Sequence, residues 1–369
     1  MIMAGGTGGH VFPALAVADW LRARGVEVVW MGTRTGMEAR LVPEAGIPIE
    51  WIQIGGLRGK GSLGWLMAPI RLGRGLWQAL AILMRRRPRA VLGMGGFVAG
   101  PGGVASWLMR IPLLIHEQNA IPGLTNRLLA RLAQRVMEAF PASFSPGVDA
   151  IQIGNPVRWE IAALPEPQIR MVQEAPALKL LVVGGSLGAV AINQAVPAAI
   201  AQIPHAQRPE IWHQVGERNL ASARAAYSDS GVVARIEPFI DDMAAAYAWA
   251  DLVLCRAGAL TVSEIAAAGV AALLVPYPYA VDDHQTANAR WLVDAGGAEL
   301  IPQPLLTASR LAERVTHFSA DRAALLAMAV ASRGVAKVDA TERVGAACLE
   351  LAGISLKSNA DSQHLERTQ

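Results

Sequence analysis

The sequence predicts an α/β protein of two similarly built domains, each on a parallel sheet, with a ligand cleft between them. Three observations carry this. Met1 to Ala4 runs into Gly5-Gly6-Thr7-Gly8-Gly9-His10, and Pro13 to Leu21 reads as a helix. Leu180 to Val183 runs into Gly184-Gly185-Ser186-Leu187-Gly188-Ala189, and a helix opens at Val190. Around these loops, apolar runs of strand length alternate with helical stretches, the pattern of parallel sheets that bind ligands at the carboxyl ends of their strands. Glycines let the backbone turn tightly and approach a ligand, and a helix N-terminus offers unpaired N–H groups and a partial positive charge. Each loop therefore suits an anionic group. A plain strand-to-helix turn is the alternative, but such a turn has no need of four glycines in five residues.

In chain order, the first strand is short, which implies a truncated strand or a start codon assigned late. Val26 to Met31 reads as the second strand, Gly36 to Ala45 as a helix and Ile47 to Ile54 as the third strand. A helix follows around Pro69 to Met84. Ala90 to Met94 is a strand ending in Gly95-Gly96-Phe97-Val98, and Ile111 to His116 is another, ending in Glu117-Gln118-Asn119. Asn126 to Ala133 reads as a helix and Arg135 to Glu138 as a strand. Polar Ala163 to Pro176 reads as the linker. In the second half, Glu210 to Gly216, Val232 to Ile236, Asp251 to Cys255 and Ala271 to Pro276 read as strands, and Phe239 to Met243 as the start of a helix. This divides the chain into domains over 1–160 and 178–335, a linker over 161–177, a last helix over 336–354 and a polar tail over 355–369.

Composition narrows the class. The chain has 369 residues, enough for two domains with real cores; it is 53% hydrophobic and only 17% charged, so it is globular with a somewhat apolar surface. Two cysteines, Cys255 and Cys348, give neither a disulfide framework nor metal-ligand spacing, and imply a reducing cytosolic compartment. No signal peptide is expected before the first strand. The net charge is +3, but unevenly placed. From Trp51 through His116 there is no acidic residue, while Arg58, Lys60, Arg71, Arg74, Arg85, Arg86, Arg87 and Arg89 interleave with Trp65, Ile70, Leu76, Trp77 and Met84. Segment 58–89 thus suits an anionic membrane surface, where each well-placed cation is worth about 1 kcal/mol. The competing readings are a helix whose apolar side is core, and arginines that are solvated or bind nucleic acid. Ala90 to Met109 is uncharged, but its six glycines and Pro101 fit a strand and turn rather than a membrane span.

The motifs exclude several chemistries. No Gly-x-x-x-x-Gly-Lys-Ser/Thr occurs, which argues against P-loop phosphoryl transfer. The first loop lacks the third glycine of the dinucleotide fingerprint, and no acidic residue clearly ends the second strand, so a dinucleotide oxidoreductase is disfavoured. No Asp-x-Asp triplet or metal-ligand cluster is present. Glu264 reads as lying in the first turn of a helix, either accepting hydrogen bonds from ribose hydroxyls or simply stabilising the helix end. Asp282-Asp283-His284-Gln285, with Asn288, enters another helix, as a polar site or as its cap.

Six segments occur in one order: Gly5 to Pro13, Gly93 to Phe97, His116 to Asn119, Gly154 to Arg158, Gly184 to Ala189 and Gly258 to Glu264. Together, and over residues 1 to about 350, the chain resembles the MurG family of bacterial N-acetylglucosaminyltransferases. The resemblance implies a GT-B fold of two Rossmann-like, doubly wound domains, with the last helix crossing back to the first domain. It implies inverting transfer of GlcNAc from UDP-GlcNAc to the MurNAc 4-hydroxyl of undecaprenyl-pyrophosphoryl-MurNAc-pentapeptide, lipid I, giving lipid II for peptidoglycan. It implies no cofactor and no nucleic-acid partner, a peripheral place on the cytoplasmic face of the inner membrane, and a cell-wall or division complex as a further partner.

By position, the resemblance assigns Thr7, Gly8, Gly9, Asn119, Arg158, Ser186, Ile240, Ala259, Leu260, Thr261, Val262, Ser263, Glu264 and Gln285 to the donor. It assigns His10, Gly95, Gly96, Phe97 and Asn119 to the acceptor. Phe97 stands where members of the family carry tyrosine, and offers the acceptor no hydroxyl. His10 is the candidate base, an imidazole beside the loop; merely orienting the acceptor is its plainer role. A UDP-GlcNAc 2-epimerase is the nearest rival within the fold, and a membrane-surface binding protein the rival outside enzymes.

Overall fold

The computed structural model describes residues 1–55, 68–171, 177–185 and 188–355. Segment 56–67 of the basic stretch, which includes Arg58, Lys60 and Trp65, lies outside them, as do 172–176, Ser186, Leu187 and the tail from 356.

Two parallel sheets organise the chain. The first contains β1 (Ile2–Met3), β2 (Trp30–Gly32), β3 (Ile49–Trp51), β4 (Val91–Gly93), β5 (Leu113–Glu117), β6 (Arg135–Glu138) and β7 (Ala150–Gln152), in the order β3-β2-β1-β4-β5-β6-β7. The second contains β8 (Lys179–Val183), β9 (Glu210–Gln214), β10 (Arg235–Glu237), β11 (Leu252–Cys255), β12 (Ala271–Leu274) and β13 (Ala298–Leu300), in the order β10-β9-β8-β11-β12-β13. Each order reverses beside its first strand, so each sheet has a switch point where ligands bind in open α/β folds. The two glycine loops lead away from β1 and β8, at those two points.

The connecting helices are α1 (Gly8–Arg22), α2 (Glu38–Glu44), α3 (Ala68–Arg86), α4 (Ala99–Leu108) and α5 (Leu124–Leu129) in the first half. Two short helices, α6 (Trp159–Ala162) and α7 (Pro167–Arg170), follow. The second half has α8 (Val190–Ala201), α9 (Leu220–Asp229), α10 (Met243–Trp249), α11 (Ala259–Ala268), α12 (His284–Asp294), α13 (Ala308–Ala320), α14 (Arg322–Gly334) and α15 (Ala340–Leu351). Strands buried on both faces read as apolar throughout, and the central β1, β2, β4, β8, β11 and β12 mostly do. Ile2, Trp30, Leu92 and Leu114 pack under α1 and α15, while Met3, Met31, Val91 and Leu113 pack under α3 and α4. In the second sheet Leu181, Val253 and Leu274 face α10 and α11, and Leu180, Leu252 and Leu273 face α8 and α13.

The two halves share core. Phe140, Val157 and Ile161 belong to the same buried cluster as Val262, Ile265 and Leu292, and Phe140 meets Trp291 edge to face at 5.1 Å. Val344, Ala347 and Cys348 of α15 pack into the first domain. At the crossing of α15 on α1 a β-carbon on Gly345 would lie 2.3 Å from the Trp20 ring, so only glycine permits the approach. Arg135 closes the contact with a 2.7 Å bond to Glu350.

Several elements depart from the sequence reading. β2 and β3 are shorter than the apolar runs that announce them. The helix read from Asn126 spans Leu124–Leu129, and that read from Phe239 begins only at Met243, where the Asp242 carboxylate accepts from the Ala245 amide at 2.9 Å. The stretch read as linker is docked, not free. The Arg170 guanidinium donates to the carbonyls of Tyr247, Ala268 and Gly269, and Pro167 lies against Gly269.

Candidate functional site

The first loop is held from beneath by Glu38. Its buried carboxylate accepts from the Gly6 amide at 2.9 Å, the Thr33 amide at 3.0 Å and the Thr33 hydroxyl at 2.7 Å. Beside it the loop after β4 approaches so closely that a β-carbon on Gly96 (φ +81°) would lie 2.3 Å from the Gly5 carbonyl oxygen. A β-carbon on Gly95 (φ +96°) would lie 2.7 Å from the His10 ring. Thr7, Gly8 and Gly9 form the start of α1, with no side chain capping it. The starts of α8 and α11 likewise have no side-chain cap, so their first amides remain available to an anion. Caps from Asp242, Thr307 and Asp321 close three helices elsewhere, while α2, α4, α5, α9, α12 and α15 also begin without one.

His10 stands in the first turn of α1, its Nδ1 2.9 Å from Gln118 Oε1. Gln118 belongs to the loop after β5, which Glu117 organises by accepting from the Asn119 and Gly123 amides and the Asn126 side chain. His116 is fully buried with Nε2 2.9 Å from the Gly154 carbonyl; burial pushes its imidazole down to about 4, against the opposing pull of that bond and of Glu117, so the ring is neutral near pH 7.

Across the cleft, Glu264 is the sixth residue of α11, not a first-turn residue. The helix opens only after Gly258, whose carbonyl accepts from the Val262 amide at 2.9 Å. The end-stabilising reading therefore fails, since that effect is worth about 0.3–1 kcal/mol and is confined to the first turn. Instead Arg158 Nη2 donates to Glu264 Oε1 at 2.9 Å and the Tyr247 hydroxyl donates to Oε2 at 3.2 Å. Burial raises the Glu264 carboxyl above its ordinary value, and these two bonds pull it partly back. Tyr247 is held neutral, well above the ordinary tyrosine range, by burial and by the carboxylate. The Arg158 guanidinium also lies 5.6 Å over the Phe12 ring of α1, and its buried Nε has no hydrogen-bond partner among the described residues.

Other bonds cross the same seam. The Asn288 carbonyl accepts from the Ala120 amide at 2.8 Å, and its amide lies 3.4 Å from Asn119 Oδ1. Asn155 Nδ2 donates to Gln118 O at 3.0 Å and Ser263 Oγ at 2.9 Å. Among the described sequence-predicted residues, His10 lies beside Gly95, Arg158 bonds Glu264, and Asn119 faces α12. Phe97, Ile240 and Gln285 make other contacts among the described residues, or none. Phe97 is 56% exposed, the Ile240 amide donates to Gln214 Oε1, and Gln285 Oε1 accepts from the Tyr277 amide. The capping alternative for the Asp282 cluster does not hold, because no side-chain cap is made at the start of α12 and Asp283 accepts from the Thr286 hydroxyl. Sequence reasoning gave no individual role to Glu38, Gln118 or Asn155, and named Asn288 only within the Asp282 cluster. Gln118 and Asn155 lay inside segments already singled out; nothing local marked Glu38.

A cavity of about 1200 Å³ opens at the opposite edge of the first sheet, among Met1, Arg24, Arg86 and Cys348. It contains none of these residues and lies at the amino ends of the strands, away from the edge where α/β sheets hold ligands.

Two doubly wound domains that meet along their ligand-binding edges define a GT-B glycosyltransferase architecture. Comparison makes the class specific: residues 1–138 match the glycosyltransferase family 28 N-terminal domain and residues 179–344 the family's C-terminal domain. The chain belongs to glycosyltransferase family 28. It is 60% identical to a UDP-N-acetylglucosamine–N-acetylmuramyl-(pentapeptide) pyrophosphoryl-undecaprenol N-acetylglucosamine transferase of Nitrosococcus oceani, over 95% of this chain and 98% of that one. It is 58% identical to a protein of the same name from Alkalilimnicola ehrlichii, with the same coverage. The crystal structure of Acinetobacter baumannii MurG superposes with a TM-score of 0.82 at 43% identity, covering 95% of this chain and 99% of that one.

Proposed function

We infer that this chain transfers GlcNAc from UDP-GlcNAc to the MurNAc 4-hydroxyl of lipid I, forming lipid II for peptidoglycan with inversion at the anomeric carbon. The observation that carries this is the 60% identity, through both domains, to a transferase named for that donor and acceptor. The geometry supports this reading. The acceptor oxygen attacks the anomeric carbon, its proton passes to His10 Nε2, and UDP departs with the electrons of the broken bond. Positive helix ends and Arg158 would receive the charge that grows on the diphosphate. Glu264 would accept from the ribose hydroxyls and Ile240 would meet the uracil. Asn119 and Gln285 would hold the sugar, with Gly95, Gly96 and Phe97 on the acceptor side.

The lipid-linked acceptor would be met at an anionic bilayer by α3 and its neighbours. No helix among the described residues is long and apolar enough to cross a membrane. Ile70, Trp77 and Met84 of α3 are exposed, as are Trp107 and Leu108 of α4 and Leu124 and Leu128 of α5. These three helices pack in sequence. Arg71 and Arg74 are exposed beside them, while Arg85 and Arg86 are paired with Glu50 and contribute less net charge than the acid-free window implies.

Labelled UDP-GlcNAc supplied with lipid I should yield labelled lipid II. Conversion of the donor to UDP and a free or epimerised sugar, with the acceptor unchanged, would favour the epimerase reading.

A further inference from the structure

We propose that Gln118 is a positioning residue that fixes the tautomer of His10, keeping the proton on Nδ1 and the lone pair of Nε2 free for the acceptor hydroxyl. The argument is one of donors and acceptors, and it starts at Gly154. The Gly154 carbonyl can only accept, so His116 Nε2, 2.9 Å away, carries a proton. His116 is neutral, so its Nδ1 holds a lone pair. That lone pair faces Gln118 Nε2 at 3.1 Å, and the same NH2 group reaches the His116 backbone carbonyl at 3.2 Å. Two acceptors on one side fix the orientation of the amide. Its oxygen is thereby turned to His10 Nδ1 at 2.9 Å. An amide oxygen can only accept, so Nδ1 donates and Nε2 of the neutral ring is unprotonated.

The surroundings leave the relay little freedom. Gln118 is 1% exposed and His116 is fully buried. Asn155 holds the Gln118 carbonyl and Asn126 the His116 carbonyl. Gly95 lies against the His10 ring, where any side chain would displace it. The Nδ1–H···O bond survives when Nε2 takes a proton, so the relay serves both halves of the proton transfer. This is the service a carboxylate performs in a catalytic triad, here rendered by a neutral amide whose direction is set by a buried histidine.

The proposal rests on the reading of His10 as base, and the test separates the two. Two-bond 15N–1H spectra of histidine-labelled protein, with the His10 signals assigned by their loss in His10→Ala, should show a protonated Nδ1 and a bare Nε2. Gln118→Met should lose that pattern and lower kcat by about 10²–10⁴-fold, the range spanned by general-base catalysis and by a wrong tautomer, with KM for UDP-GlcNAc little changed. Gln118→Glu keeps an acceptor against Nδ1 but gives up the donor to His116, so it should keep the Nδ1-protonated pattern and lower kcat less than Gln118→Met does. A wild-type ring protonated on Nε2 overturns the proposal without recourse to any variant. So does a Gln118→Met protein that keeps its pattern or its kcat. Full activity in His10→Ala would instead remove the base reading, leaving the ring signals to judge the relay.

Discussion

At the scale of residues, Glu264 serves two demands. It pairs with Arg158 across the seam, and we propose that it also accepts from a nucleoside's hydroxyls. Hydrogen bonds to a charged group are worth about 1.5–3 kcal/mol each, several times a helix-end effect, which is why its burial is tolerated. Glu264→Ala should therefore weaken UDP binding by about 1.5–3 kcal/mol in calorimetric titration, and an unchanged affinity would remove the ribose role. The thermal midpoint should fall as well, because Arg158 loses its partner. Glu264 and His10 could be singled out in the sequence because each follows a glycine turn behind an apolar strand. Glu38 was not, because a carboxylate that works by accepting from loop amides looks in sequence like any acidic residue opening a helix. The direction of the Gln118 amide was equally hidden, since it depends on a carbonyl at Gly154.

At the scale of elements, α3 was read correctly as a helix, and its exposed Ile70 and Trp77 speak against the view that its apolar residues are all core. Replacing both with aspartate should lower cosedimentation with phosphatidylglycerol vesicles by about tenfold or more, since burying one large apolar side chain is worth about 1.5–3 kcal/mol. Stability should be little affected, because both side chains are already exposed. Binding that survived the double substitution would move the membrane contact to another face. The alternation of strands and helices was legible from apolar runs and glycine turns, but ends were not. The start of α11 depends on an extended Gly258, and the docking of the supposed linker depends on Arg170 finding three carbonyls far along the chain.

At the scale of the molecule, two sheets of the same strand order meet through a seam of pairs more than a hundred residues apart: Arg158 with Glu264, Ala120 with Asn288, Asn155 with Ser263. No short pattern announces such pairs. The repeated glycine loop did announce the duplicated architecture, because each domain needs its own close backbone turn at its switch point. Shared core around Phe140 and Trp291, and α15 returning to α1, bind the halves into one catalytic unit. The most direct test is a crystal structure with UDP-GlcNAc bound. The donor should lie in the interdomain seam, its ribose on Glu264 and its diphosphate on the uncapped helix ends. A donor lodged elsewhere, such as in the cavity beside Met1 and Arg24, would contradict the account.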